Sequence, residues 1–122
     1  MKRTQARELA FKTIYSKFFN ADIEEDALPS KDLEFVNNIV NHYLESKEEI
    51  NNIIASHLKG YTLNRVYKVD LALLVVAVIE LNYIKENPKE VVINEVVELA
   101  KKYSTEKSPR FINGVLADIV NK

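Results

Sequence analysis

The stretch LALLVVAVIELNYI, residues 71–84, decides the fold because it is apolar on almost all sides. Its valines would also suit a buried strand, but the apolar character continues over a length that is typical of a helix. Asp70 directly precedes the stretch and is expected to be its N-cap. Since a helix without a polar face has to be surrounded by protein, the sequence predicts that this is the central helix of a bundle.

The segments on both sides show the helical spacing of apolar residues that such a bundle needs. Their predicted starts are Ser30, the capping box of Ser46 and Glu49, the pair Asn87-Pro88 and the pair Ser108-Pro109. Gly60 is expected to end one helix in a left-handed conformation. We therefore predict an all-α fold of six or seven helices, in which residues 1–122 form a single domain whose halves, about 1–60 and 61–122, share one core.

Composition limits the environment and the chemistry of the chain. The 122 residues include no cysteine, which excludes disulfides, thiolate zinc sites and cysteine nucleophiles, and fits a reducing cytoplasm. The longest apolar run, Leu71 to Ile79, has nine residues, whereas a bilayer requires ~20. The basic N-terminus has no apolar run behind it that could serve as a signal peptide. A soluble, cytoplasmic protein is expected.

The net charge of −1 excludes a globally basic nucleic-acid binder, but the charges are segregated. One positive cluster is formed at the N-terminus by Lys2, Arg3, Arg7 and Lys12, and another near the end of the chain by Lys101, Lys102, Lys107 and Arg110. The aromatic residues Tyr15, Tyr103 and Phe111 lie close to these clusters. If the first and last helices pack together, cations for phosphates and rings for unpaired bases share one surface.

The last helix contains Gly114 in its interior, where glycine costs ~1 kcal/mol relative to alanine. Together with Asn113 and Ala117 it forms a side of small or uncharged residues, and the first helix offers Ala6 and Ala10 as a matching pair. We expect the last helix to be packed on two sides, with the first helix against this small side. The alternative is that Gly114 lies on a solvated face.

Several of these residues have a structural alternative. Arg7 falls within the apolar arc of its helix, so an ion pair with a glutamate of the helix that starts near Pro88 competes with RNA contact. Tyr103 is expected to belong to the core, whereas Lys2 and Arg3 are expected to precede the first helix and to be free for RNA.

Catalytic chemistry finds no support in the sequence. His42 and His57 lie fifteen residues apart on different predicted helices, which gives neither a metal-binding spacing nor a nucleophilic site, and His57 is expected to be hydrogen-bonded at the core edge. There is no glycine-rich phosphate loop. We predict no enzyme, no cofactor and no metal.

Two segments carry a specific resemblance. ARELAFKTIY, residues 6–15, and VINEVVELAKKYSTEKSPRFINGVLADI, residues 92–119, resemble the NusB family of bacterial transcription antitermination factors. The resemblance implies a helical fold of two packed subdomains, no catalysis, binding of single-stranded boxA-type RNA, and a NusE-type ribosomal protein as partner on transcribing RNA polymerase. Carried over by position, it implies RNA binding by Lys2, Arg3, Arg7, Tyr15 and Phe111, and partner binding by Asp70.

Two further cations complete the predicted RNA site. Lys107 stands where family members often carry an acid, and Arg110 follows it in the same cluster. The alternative function is a helical interaction module that does not bind RNA, such as a homodimeric scaffold that buries the basic patch.

Overall fold

The computed structural model of the protein describes residues 2–19, 30–60 and 62–121, and the side chains of Lys2, Arg3 and Ser30 are outside this description. The helices are α1 (Lys2–Lys17), α2 (Ser30–Ser56), α3 (Lys68–Ile79), α4 (Lys89–Tyr103) and α5 (Ser108–Val120). A 3-10 turn (Leu63–Arg65) precedes α3, and a π-helical turn (Glu80–Ile84) extends it. The all-α prediction is confirmed. None of the helices in these ranges combines the length and the apolarity needed to cross a membrane.

The predicted central helix is α3 with its π-helical extension. All residues from Asp70 to Glu80 are buried, and α1, α2, α4 and α5 all pack against α3. The prediction of Asp70 as its N-cap is wrong, because α3 begins at Lys68 and Tyr67 occupies the N-cap position. Asp70 therefore lies inside the first turn, where its carboxylate faces other elements instead of the free N–H groups of its own helix.

The helix count differs from the prediction of six or seven, since the described parts of the chain contain five α-helices. The predicted second and third helices are the single 27-residue helix α2. Ser46, the first residue of the predicted capping box, has non-helical dihedral angles (φ −125°, ψ 27°), but helical structure resumes directly after it. The capping signal thus produces a kink within one helix.

The starts of α4 and α5 lie within one residue of their predicted positions. Pro88 is the N-cap of α4 and not its first residue, while Lys107 is the N-cap of α5 and Ser108 its first residue. Gly60 has the expected positive φ of 91°, but it does not end a helix, since α2 ends four residues earlier at Ser56. Lys85 also adopts a left-handed conformation (φ 57°) and ends the π-helical turn without a glycine.

The two-sided packing predicted for α5 is wrong. Its apolar side packs on α3 and α4, but Asn113 and Gly114 are exposed, and a Cβ added at Gly114 would meet no atom within 4 Å. Ala6 and Ala10 are buried where α1 packs on α2 and α3. One apolar arc is enough to hold α5, so the solvated-face alternative for Gly114 is correct.

Candidate nucleic-acid interface

Arg7 is at the centre of a buried ion-pair cluster at the start of α1. Only 1% of its surface is exposed, and its Nε and Nη2 donate to the Glu80 carboxylate, the latter over 2.8 Å. Its Nη1 donates to Glu95 of α4 over 3.0 Å. The guanidinium is therefore buried and paired inside the chain, which favours the structural alternative over the predicted RNA contact for Arg7. The alternative of an ion pair with α4 is confirmed, but sequence reasoning missed the principal partner, Glu80.

The surroundings of this pair satisfy its remaining polar atoms. Thr4 donates to Glu95 over 2.7 Å, and the Asn87 side chain donates to Glu80 over 3.3 Å. Burial by itself would lower the pKa of Arg7, but the hydrogen bonds and charge of Glu80, and then those of Glu95, raise it above its usual value. These contacts fix the first half of α1 to the end of α3 and to α4. We name this set, Thr4, Arg7, Glu80, Asn87 and Glu95, the Arg7 cluster.

Lys2 and Arg3 form the first turn of α1 and do not precede the helix as expected. Because the Arg7 cluster holds the next turn, the backbone from which these two residues project has a defined position. Their side chains lie outside the described structure, so their role in RNA binding stays a prediction.

The first positive cluster meets the end of α4 through Glu8 and Tyr103. Lys102 donates to the Glu8 carboxylate over 2.8 Å, and the Tyr103 hydroxyl donates to the same oxygen. The Tyr103 ring is half-buried, 5.4 Å from the Phe11 ring, and the Lys12 ammonium lies 5.4 Å from its centre. Burial would raise the pKa of Glu8, but the hydrogen bonds from Lys102 and Tyr103 lower it below its usual value. The two positive clusters are thus joined through α4 and not by packing of α1 on α5.

Asp70 positions the loop between α4 and α5. Its carboxylate is buried, with 6% of the residue exposed, and accepts hydrogen bonds from the hydroxyls of Ser104 (2.6 Å) and Ser108 (3.0 Å). The backbone N–H of Thr105 donates to the Ser108 hydroxyl over 3.2 Å. Because both oxygens are used inside the chain, this geometry favours a structural role for Asp70 over the predicted contact with a protein partner. Its role is to hold the loop that carries Lys107.

Lys107 and Phe111 line an open cleft of about 410 Å³ between this loop and the segment that precedes α3. Lys107 is exposed and Phe111 is half-buried. We call this the Phe111 cleft. Its rim includes Arg65, Tyr67, Lys107 and Phe111, and the buried residues Asp70 and Ser108 lie below them. Sequence reasoning did not identify Arg65 or Tyr67, because no motif marks them and only the fold brings them near Phe111.

Arg110 lies on the other side of Phe111. It lines a smaller cleft of about 250 Å³ together with His57, Asp118 and Gly114, and Phe111 borders both clefts. His57 Nδ1 lies 2.6 Å from Asp118 Oδ2, which confirms the prediction of a hydrogen-bonded histidine at the core edge.

Tyr15 belongs to a row of rings along α1. It is half-buried and its ring contacts those of Phe11, Phe18 and Phe19. The structure thus brings Lys107, Arg110 and Phe111 together, whereas Tyr15 is placed among the aromatic side chains of its own helix.

Within the described ranges, no group of three or more His, Asp or Glu side chains could hold a metal ion. His42 contacts the carbonyl of Asn38, one turn earlier in α2, at 2.8 Å. The histidines therefore have structural partners, and the surface offers cations and rings that can hold phosphates and bases.

The sequence and the fold both have close counterparts among known proteins. Residues 4–121 match the model of the NusB family. The chain is 39% identical to the transcription antitermination protein NusB of Finegoldia magna, covering 100% of this chain and 96% of the relative.

Solved structures give the same result. T. maritima NusB is similar with a TM-score of 0.91 and 29% identity, over 100% of this chain and 92% of that one. A second similar structure contains the antitermination factors NusB and NusE in complex with dsRNA, with a TM-score of 0.88 and 28% identity over 98% of this chain and 96% of that one.

Proposed function

The chain belongs to the NusB family, and on this basis we propose that it is an RNA-binding transcription antitermination factor without enzymatic activity. It binds boxA-like single-stranded RNA together with a NusE-type small-subunit ribosomal protein, and acts in the cytoplasm on the transcribing RNA polymerase complex. The observation that carries this proposal is the likeness, over nearly the whole chain, to a NusB that was solved with NusE and dsRNA.

The Phe111 cleft and the start of α1 supply the groups that RNA binding needs. Lys107 and Arg110 flank the Phe111 ring, and Lys2 and Arg3 add positive charge at the first turn of α1. Single-stranded RNA is bound by cations that meet its phosphates and by rings that stack on its unpaired bases. Because Phe111 is only half-buried, it suits the second role.

Arg7 and Asp70 contribute indirectly. Arg7 and Asp70 are buried and fix α1 and the α4–α5 loop, respectively, so they position the exposed groups without touching RNA or the ribosomal protein. Substitution of either is expected to reduce RNA affinity only as far as it disturbs the fold.

The experiment is a titration of the protein with a boxA-like single strand and with a duplex of the same sequence, with and without the NusE-type protein. Neutralising about four phosphates of a single strand predicts that affinity falls with roughly the third power of the salt concentration. The double variant Lys2→Glu, Arg3→Glu is expected to bind more weakly and with a smaller salt dependence. A ternary complex with the ribosomal protein is expected on size exclusion.

Lys89→Glu is the matched control, because Lys89 is an exposed lysine at the start of α4. It should bind as the unchanged protein does. If binding were independent of salt and of charge reversal at Lys2 and Arg3, the protein would be a helical interaction module and the proposal would be wrong. A preference for the duplex would contradict the assignment of single-stranded RNA.

A further inference from the structure

We propose that Arg65 and Tyr67 form the second wall of an RNA-binding subsite, in which one unpaired nucleotide lies in the Phe111 cleft. This inference rests on the proposed function and extends it to the segment that precedes α3. Both residues line the cleft opposite the α4–α5 loop, and 55% of Tyr67 is exposed. An aromatic side chain with more than half its surface in water has no evident role in stabilising the fold.

Arg65 and Tyr67 are accessible to a ligand, whereas the residue between them is buried. Val66 lies between them, is 4% exposed and belongs to the hydrophobic core. Arg65, the last residue of the 3-10 turn, and Tyr67 are exposed on either side of Val66. All three residues line the cleft, Val66 as a buried residue and the other two as exposed ones.

The segment is also held in place at both ends. The N–H of Arg65 donates to the Thr62 carbonyl over 3.0 Å, and the Tyr67 carbonyl accepts the N–H of Leu71, the first helical bond of α3, over 2.9 Å. The subsite is therefore preorganised, and a ligand does not have to order it.

Charge and shape identify the ligand as a nucleotide. Each wall carries one cation and one ring, Arg65 with Tyr67 and Lys107 with Phe111. Asp70 is the acid that lines the cleft, and its oxygens accept hydrogen bonds from Ser104 and Ser108. The volume of about 410 Å³ falls within the range of roughly 300–1,000 Å³ of small-molecule sites. A phosphate between the cations and a base against the rings satisfy both walls.

The test compares Tyr67→Ala, Tyr67→Phe and Arg65→Glu with the unchanged protein for affinity to a boxA-like single strand. Stacking on an aromatic ring predicts that Tyr67→Ala weakens binding about 5- to 100-fold, whereas Tyr67→Phe keeps most of it. Arg65→Glu should weaken binding and reduce its salt dependence. Leu44→Ala is the matched control, because Leu44 is 57% exposed on α2 and does not line the cleft.

A second set of strands, each with one abasic nucleotide at a different position, locates the subsite. For the unchanged protein, one position should cause a loss of affinity similar to that of Tyr67→Ala, and Tyr67→Ala should lose nothing further there. Additive losses at every position would overturn the inference.

Three other outcomes separate the explanations. If the protein binds RNA and responds to Lys2→Glu, Arg3→Glu, but Tyr67→Ala and Arg65→Glu behave like Leu44→Ala, the subsite is wrong and the proposed function stands. If Tyr67→Ala binds RNA normally but loses the NusE-type protein, the exposed ring belongs to a protein interface, which also overturns the subsite. A protein that binds no RNA at all contradicts the proposed function itself.

Discussion

The Arg7 cluster and the Phe111 cleft contain the same kinds of side chain, but the cluster stabilises the fold whereas the cleft is open to a ligand. Each combines an arginine, aromatic rings and a carboxylate: Arg7 lies 5.8 Å from the Phe35 ring and pairs with Glu80, while Arg65 shares a cleft with Phe111 and Asp70. In the cluster the cation and the carboxylate neutralise each other away from water. In the cleft the carboxylate is buried beneath serine hydroxyls, and the cations face solvent. Exposure, and not residue type, therefore distinguishes a structural arginine from a binding one.

The largest effect is expected from breaking the buried pair. Arg7→Met leaves Glu80 buried without its partner, and removal of one member of a buried ion pair costs about 3–5 kcal/mol of the free energy of unfolding. Urea unfolding followed by circular dichroism measures this loss. Gln5→Met, at an exposed site on the same helix, should change stability by less than about 0.5 kcal/mol.

A double variant, Arg7→Met with Glu80→Met, removes both charges and should recover most of the lost stability, because well-packed apolar side chains can replace a buried pair. If Arg7→Met unfolded like the unchanged protein but lost RNA affinity, Arg7 would be an RNA ligand, and the contrast between the two regions would fail.

The carboxylate below the Phe111 cleft should have the next largest effect. Asp70→Ala leaves the Ser104 and Ser108 hydroxyls without their acceptor, which is expected to cost about 1–3 kcal/mol. Thermal or urea unfolding detects the loss, and RNA affinity should also fall because the loop that carries Lys107 is released. Glu106→Ala, an exposed acid in the same loop, is the control and should leave stability nearly unchanged. Equal effects of the two variants would mean that Asp70 does not hold the loop.

A smaller, stabilising effect is expected on the outer side of α5. Gly114 is helical, exposed and has open space around it, so Gly114→Ala should raise the free energy of unfolding by up to about 1 kcal/mol. Gly60→Ala should instead lower the free energy of unfolding, because φ is 91° at this position and alanine is strained at that angle. Destabilisation by Gly114→Ala would show that another segment covers this side of α5, and the smaller cleft beside Arg110 would then be less open than described.

Periodicity and composition predicted the parts of the fold that depend on burial along one segment. The apolar stretch from Leu71 to Ile79 gave the central helix, and the arc of Ile112, Val115 and Leu116 gave the buried side of α5. The two-sided packing of α5 could not be decided in this way, since a stripe of small residues looks the same whether a neighbour or water covers it. The start of α5 is displaced by one residue, and the hydroxyl of Ser108, its predicted cap, binds Asp70 instead.

The site was harder to predict because its members are distant in sequence. The glutamate of α4 that pairs with Arg7 was expected from helix periodicity, but Glu80 lies 73 residues from Arg7 and only the fold makes them neighbours. The same is true of Arg65 and Tyr67, which only the fold brings into one cleft with Phe111. Site residues within one sequence motif could be predicted, whereas their partners from distant parts of the sequence could not.

The smallest effect is expected at Glu8, which lies between the two regions and is partly exposed. Because the hydrogen bonds from Lys102 and Tyr103 outweigh burial, the pKa of Glu8 in the folded chain lies below its usual value of 4.5. A carboxyl group with a depressed folded pKa stabilises the protein above its unfolded pKa, and this contribution is lost as the pH falls through the folded pKa. Glu8→Gln should therefore be less stable than the unchanged protein at neutral pH, with the difference shrinking on acidification.

Urea unfolding between about pH 7 and pH 3 measures this difference, which should also shrink at high salt because Lys102 is exposed to solvent. Lys102→Met is the matched background, since removing the ammonium should reduce both the effect of Glu8→Gln and its pH dependence. If the difference stayed constant over this pH range in both backgrounds, Glu8 would act through packing alone. The junction of α1 and α4 would then resemble the buried Arg7 cluster more closely than the solvated Phe111 cleft.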